Sequence, residues 1–189
     1  LLYFKKKVKT NCVFLVDTHV QYSHMYYLVA LGNPGDEYTK NRHNVGFAAL
    51  DFFIKTFGLP QPIKSSQFAG RFVTCVVSGE EVSLLYPETF MNHSGSAVKK
   101  LVPSTEFSKL IVLYDDVALP LGEVKVSFDR GDGGHNGIKS IISSLNSKDF
   151  IRVRIGVGAT SFWTGKIKPL SGEVLPKFVL SNFNGRETT

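Results

Sequence analysis

The chain has 189 residues, 43% of them hydrophobic and 20% charged, with a formal net charge of +6 and a pI near 9.3. That length suffices for one domain with a substantial core. Cys12 and Cys75 are too few and too far apart for a disulfide framework or a zinc cluster, and no apolar run approaches the roughly 20 residues of a membrane span. The basic balance favours a polyanionic partner, nucleic acid ahead of anionic membrane, against the competing reading of a merely solvated basic surface.

Residues 1–25 have no clear period and are left outside the fold. The Lys5-Lys6-Lys7 run is followed by an apolar stretch, Cys12 to Val16, too short for a secretory core. Arg is absent from this segment and Ser is scarce, which speaks against an organellar presequence, and Ser23-His24-Met25 reads as a junction or an internal start. The domain is taken as residues 26–189, in the cytoplasm or an organellar matrix.

Tyr26–Leu31 is an apolar run that breaks at Gly32 into an Asn33-Pro34-Gly35 turn and reads as a buried strand. After Arg42-His43-Asn44, the residues Phe47, Leu50, Ile54 and Phe57 recur at helical spacing, and Gly58 and Pro60 end that helix. Phe68–Val77 and Val82–Tyr86 form a hairpin through Ser78-Gly79-Glu80-Glu81. Ser94 is the expected N-cap of a short helix through Ala97 and Leu101, closed by Pro103. Leu110–Tyr114 is a central strand buried on both faces, running into Asp115-Asp116.

Glu123–Phe128 alternates as another strand. The glycine-rich loop 131–137 then opens a helix bearing Ile138, Ile141, Ile142 and Leu145, and Arg152–Val157 is the last clear strand. Strands alternating with helices, plus an antiparallel hairpin, imply an α/β three-layer sandwich: a mixed central sheet with helices on both faces.

Polar residues gather where these strands end: Asn33, Arg42-His43-Asn44, Phe90-Met91-Asn92, Asp115-Asp116 and His135-Asn136. Any one of them alone reads as an ordinary turn or cap residue. Together they converge on the carboxyl edge of the sheet, where α/β proteins bind ligands. No metal-ligand spacing, no Gly-x-Ser-x-Gly elbow and no Gly-x-Gly-x-x-Gly fingerprint is present. A histidine, a carboxylate and several asparagines remain. That set suits general-base hydrolysis of an activated ester: imidazole takes a proton from water, the carboxylate fixes its tautomer, and neutral amides face the developing oxyanion. His135 is a rival base, and Asp116 a rival carboxylate.

These residues resemble the bacterial-type peptidyl-tRNA hydrolases. The matching segments are Gly32-Asn33-Pro34-Gly35 with Tyr38, Arg42-His43-Asn44-Val45-Gly46, and residues 87–95 (PETFMNHSG). Tyr114-Asp115-Asp116 with Leu119-Pro120-Leu121-Gly122, Gly133-Gly134-His135-Asn136-Gly137, and the segment Arg152 to Gly158 follow in the same order. The resemblance covers about Tyr26 to Phe183. It implies an esterase that frees tRNA from a peptide attached to its terminal ribose, acting as a monomer on the acceptor stem and 3′ end of peptidyl-tRNA, with no cofactor, no metal and no membrane.

By the same resemblance His43 is the base, Asp115 orients it, and Asn33 contacts the peptide main chain and separates N-blocked from free substrates. Asn92 and Asn136 bind peptide or the tRNA end, and Tyr38 and Phe90 form apolar walls. Lys99, Lys100, Lys125, Arg130, Lys139 and Lys148 are candidates for the acceptor-stem backbone, each individually more ordinary as a solvated cation. The chain departs from the family pattern at Ala118 and at Ser127, Asp129, Arg130 and Asp132. It ends soon after Phe178-Val179-Leu180, where relatives continue into a C-terminal helix, so a truncated domain is expected. A non-catalytic RNA-binding relative and a general carboxylesterase are the competing functions.

Overall fold

The computed structural model describes residues 25–161, 167–168, 170–185 and 187. The expectations for residues 1–24, including Cys12 and the lysine run, lie outside the described residues. Met25 already belongs to the first strand. In chain order the elements are β1 (Met25–Ala30), α1 (Val45–Phe57), β2 (Ile63–Ser65), β3 (Gly70–Val77), β4 (Glu80–Pro87), α2 (Ser94–Leu101), β5 (Leu110–Pro120), β6 (Val124–Phe128), α3 (Asn136–Leu145), β7 (Ile151–Gly158) and α4 (Val174–Val179).

The strands form one seven-stranded sheet in the order β2-β3-β4-β1-β5-β7-β6. β1 runs parallel to both β4 and β5, and β5 parallel to β7. The outer pairings, β2–β3, β3–β4 and β6–β7, are antiparallel. The continuous apolar run of β1 belongs to a strand covered on both faces, because alternate residues point to opposite sides of the sheet. Tyr27, Val29 and Leu31 join Val112 and Tyr114 of β5 under Ala97, Val98 and Leu101 of α2 and Ile138, Ile141 and Leu145 of α3. Leu28 and Ala30 join Leu84 and Leu113 under Leu50 and Ile54 of α1. Each fully buried aliphatic side chain contributes about 1.5–3 kcal/mol, so the α/β class and its two helical layers follow from the apolar pattern.

Three local expectations are corrected, and one strand is added. The hairpin turn is two residues long, Ser78-Gly79, both at positive φ (55° and 88°), with Glu80 and Glu81 already paired to Val77 and Val76. Primed two-residue turns match the strand twist, which is why the shorter loop wins. Ser94 is the first residue of α2 rather than its cap, and its hydroxyl donates back to the Met91 carbonyl at 3.0 Å. β5 does not stop at Tyr114: Asp115 and Asp116 remain in register with Ile155 and Gly156 of β7, and the strand continues past an irregularity to Pro120. The short edge strand β2 was not anticipated.

Gly46, at the start of α1, brings the helix against the sheet. A Cβ there would lie 2.5 Å from the Leu31 carbonyl oxygen and 2.6 Å from that of Leu113. Only glycine allows α1 to begin on top of the ends of β1 and β5, which delivers residues 42–44 to that edge. No helix among the described residues is long and apolar enough to cross a membrane.

Candidate active site

The loop after β1 carries Asn33 and, through a 3-10 turn at Arg42–Asn44, His43. Asn33 and Asn44 lock this loop onto itself. The Asn33 N–H donates to Asn44 Oδ1 and Asn44 Nδ2 donates to the Asn33 carbonyl, both at 2.9 Å. The Met91 N–H then donates to Asn33 Oδ1 at 2.8 Å. With its oxygen held by that donor, Asn33 keeps its Nδ2 group as a neutral donor, and the residue lines the cleft. Asn44 and Met91 are therefore the residues that orient Asn33.

His43, on the same loop, is 8% exposed and its Nδ1 lies 2.8 Å from Oδ1 of Asp115, which is 2% exposed. Burial by itself would raise the Asp115 pKa. The imidazoles of His135 and His43 outweigh that and hold the carboxyl below the ordinary carboxylate range. An ionised carboxylate only accepts, so the His43 proton sits on Nδ1 and the Nε2 lone pair is left free. His43 lines the cleft. This is the arrangement of a general base with an orienting carboxylate.

His135 occupies the same carboxylate oxygen from the other side, its Nε2 2.8 Å from Asp115 Oδ1. Its Nδ1 accepts the N–H groups of Gly137 and Ile138 at 3.1 and 3.3 Å, capping α3. Those two donors fix the proton on Nε2. With one nitrogen accepting and the other donating, His135 has no lone pair left for water. Asp116 is likewise engaged: Oδ2 accepts from Arg154 Nε and Oδ1 from the Ala118 N–H, both at 2.7 Å. His43, Asp115 and His135 form the one cluster among the described residues with three metal-ligating side chains close together. A metal at His135 Nε2 would require the ring proton to move onto Nδ1, the nitrogen at which two backbone N–H groups point.

The cleft has a volume of about 450 Å³ and is lined by Asn33, His43, Phe90, Met91, Asn92, Asp115 and Asn136 together with Leu175, Pro176, Val179 and Leu180 from α4 and the residue after it. Phe90 is 57% exposed at its lip. Asn92 is exposed with Nδ2 3.3 Å from His93 Nε2, and Asn136 is exposed at the first position of α3. Tyr38 is the exception. It lies in the 3-10 turn Asp36–Tyr38, folded back by its N–H onto the Gly35 carbonyl, and is not among the lining residues. Lys99, Lys100, Lys125, Lys139 and Lys148 are exposed outside the cleft, Lys125 pairing with Glu123 at 2.9 Å, whereas Arg130 lines it. The α4 wall was missed because its contribution depends on where the chain returns, which no local pattern encodes.

The sequence model of the family described as Peptidyl-tRNA hydrolase matches residues 27–189. The peptidyl-tRNA hydrolase of Clostridium tetani is 48% identical over 136 residues, 71% of each chain. That of Geobacillus thermodenitrificans is 39% identical over 165 residues, 86% of this chain and 83% of the relative. Among solved structures, the peptidyl-tRNA hydrolase of Acinetobacter baumannii superposes with a TM-score of 0.72 at 29% identity, covering 87% of this chain and 79% of the other. A chain matched along this whole length by the family's sequence pattern, and by its fold, belongs to the peptidyl-tRNA hydrolase family.

Proposed function

We propose that this chain hydrolyses the ester joining a peptide, or an N-blocked aminoacyl group, to the 3′-terminal ribose of tRNA, with His43 as the general base. The observation that carries the reading is the buried His43–Asp115 pair with a free imidazole nitrogen at the cleft. His43 Nε2 takes a proton from water, and the hydroxide attacks the ester carbonyl. Asp115 stabilises the imidazolium as it forms. Asn33 Nδ2, a neutral donor on the same loop, serves the carbonyl oxygen, a contribution of roughly 3–4 kcal/mol when well placed. Collapse of the tetrahedral adduct expels the ribose oxygen, which takes the proton back from His43, leaving free tRNA and a peptide carboxylate.

Phe90, Asn92 and Asn136 serve the peptide and the terminal nucleotide, and Tyr38 receives no part. A free α-amino group is charged and would be poorly solvated among neutral amides, whereas an acylated nitrogen is not. The working unit of this reading is a monomer. It acts where tRNA is recycled from aborted translation, in the cytoplasm or an organellar matrix. The family match supports this reading over the non-catalytic RNA-binding alternative.

The test compares release of free tRNA from N-acetylaminoacyl-tRNA and from unblocked aminoacyl-tRNA. Fast release from the first and little from the second is expected, and equal rates would overturn the reading. His43→Ala should lower kcat by about 10²–10⁴-fold with tRNA affinity nearly unchanged, and parent-rate turnover would remove His43 from its role.

A further inference from the structure

Arg42, the residue before the base, is buried at 6% exposure, and its guanidinium bonds to Ser181, Asn182 and Glu187. One terminal nitrogen donates to the Ser181 carbonyl at 3.2 Å, the Ser181 hydroxyl at 2.7 Å and the Asn182 carbonyl at 2.7 Å. The other grips both carboxylate oxygens of Glu187 at 2.8 and 2.6 Å. The guanidinium carbon lies over the rings of Phe178 and Phe183, 4.6 and 5.3 Å from their centroids. The backbone repeats the attachment: Arg42 N–H to the Ser181 carbonyl, Phe183 N–H to the Lys40 carbonyl, and a bridge between Asn41 and Asn182. A single buried cation thus gathers Phe178, Ser181, Asn182, Phe183 and Glu187 onto the loop that carries the base.

The segment so fastened is the one that supplies Leu175, Pro176, Val179 and Leu180 to the cleft. α4 is only six residues long, and of them only Val179 is fully buried. So short a helix has little stability of its own, and its position depends on what anchors it.

We propose that Arg42 is a positioning residue that, through its forked grip on Glu187, holds α4 as an apolar wall against which the side chain of the acyl group rests. The proposal builds on the esterase reading given above. A wall that contacts ground state and transition state alike acts on KM and leaves kcat in place. It also distinguishes acyl groups by size, because an apolar side chain has surface to bury there and a glycyl group has none.

The experiment measures kcat and KM for Glu187→Ala and, as a second variant that keeps the charge but not the fork, Arg42→Lys, on N-acetylphenylalanyl-tRNA and N-acetylglycyl-tRNA. Glu187 stands at the surface end of the grip, with 21% of its side chain exposed, so its truncation leaves the core intact. KM for the phenylalanyl substrate is expected to rise about tenfold in either variant, the range of one lost charged hydrogen-bond pair, with kcat unchanged and a much smaller rise for the glycyl substrate. Faster amide exchange at Phe183 and Leu180, with α1 and α3 unaltered, should accompany it.

A KM unmoved by Glu187→Ala, an equal rise for both acyl groups, or a fall in kcat at constant KM would each overturn the proposal. His43→Ala separates the two readings. If it abolishes turnover while Glu187→Ala leaves KM alone, the esterase stands and the wall does not.

Discussion

His135 Nε2 donates to Asp115 Oδ1 across 2.8 Å, while the other nitrogen of the same ring caps α3 by accepting from Gly137 and Ile138. One imidazole thus ties the helix start to the carboxylate that His43 also contacts. The two duties can be separated. His135→Ala should lose both, costing about 1 kcal/mol of stability from the missing cap and about tenfold in kcat from the missing charged hydrogen bond. Asparagine is a good helix cap but too short to reach Asp115 as well. His135→Asn should therefore recover the urea midpoint and not the rate, as denaturation and single-turnover kinetics on the same samples would show.

Asp115→Asn replaces an acceptor with a group that can donate, leaving the imidazole in the wrong tautomer. A drop in kcat of about 10³–10⁴-fold is expected. The same variant reports on acid stability. Because the folded carboxyl titrates below its ordinary value of 3.8, its contribution is complete above that pH and is lost as pH falls through the folded value. Between about pH 6 and about pH 3 the unfolding midpoint of the Asp115→Asn variant should fall less than that of the parent, and parallel curves would contradict this.

Asn44→Ala removes both bonds to the Asn33 backbone and leaves a buried N–H and C=O without partners. A loss of about 1–3 kcal/mol is expected, together with reduced kcat because Asn33 is no longer aimed. Thermal unfolding and initial rates check the two parts.

Gly46→Ala places a methyl group against two backbone carbonyls that cannot rotate away. Overpacking of this kind costs about 1–3 kcal/mol or more. The displaced helix should also carry His43 from Asp115, so that activity falls further than stability alone accounts for. Retention of full activity at an unchanged melting temperature would show that α1 can shift without moving the base.

Much of this molecule was legible in its residues, for reasons that differ from place to place. The continuous apolar runs of β1 and β5 announced strands covered on both sides, and Phe47, Leu50 and Ile54 marked α1 by period alone. Asn33, His43, Asp115 and Asn136 stood in motifs that pointed to one cleft. Asp115-Asp116 concealed the continuation of β5, because carboxylates usually end a strand and here are retained by pairing with β7 and Arg154. His135 concealed its role because capping by a ring nitrogen has no strong sequence signature. Arg42 looked like one more cation of a polar triplet. Its partners lie 139 to 145 residues away, beyond the reach of any local rule.

His43 and Asp115 are 72 positions apart in the chain and meet because β1 and β5 are parallel neighbours in one fixed alignment, Val29 beside Val112. A slip of one step along that seam would turn every side chain of the moved strand to the opposite face. Contact between these two side chains is therefore a report on correct assembly: it exists only where β1 and β5 have closed in this alignment.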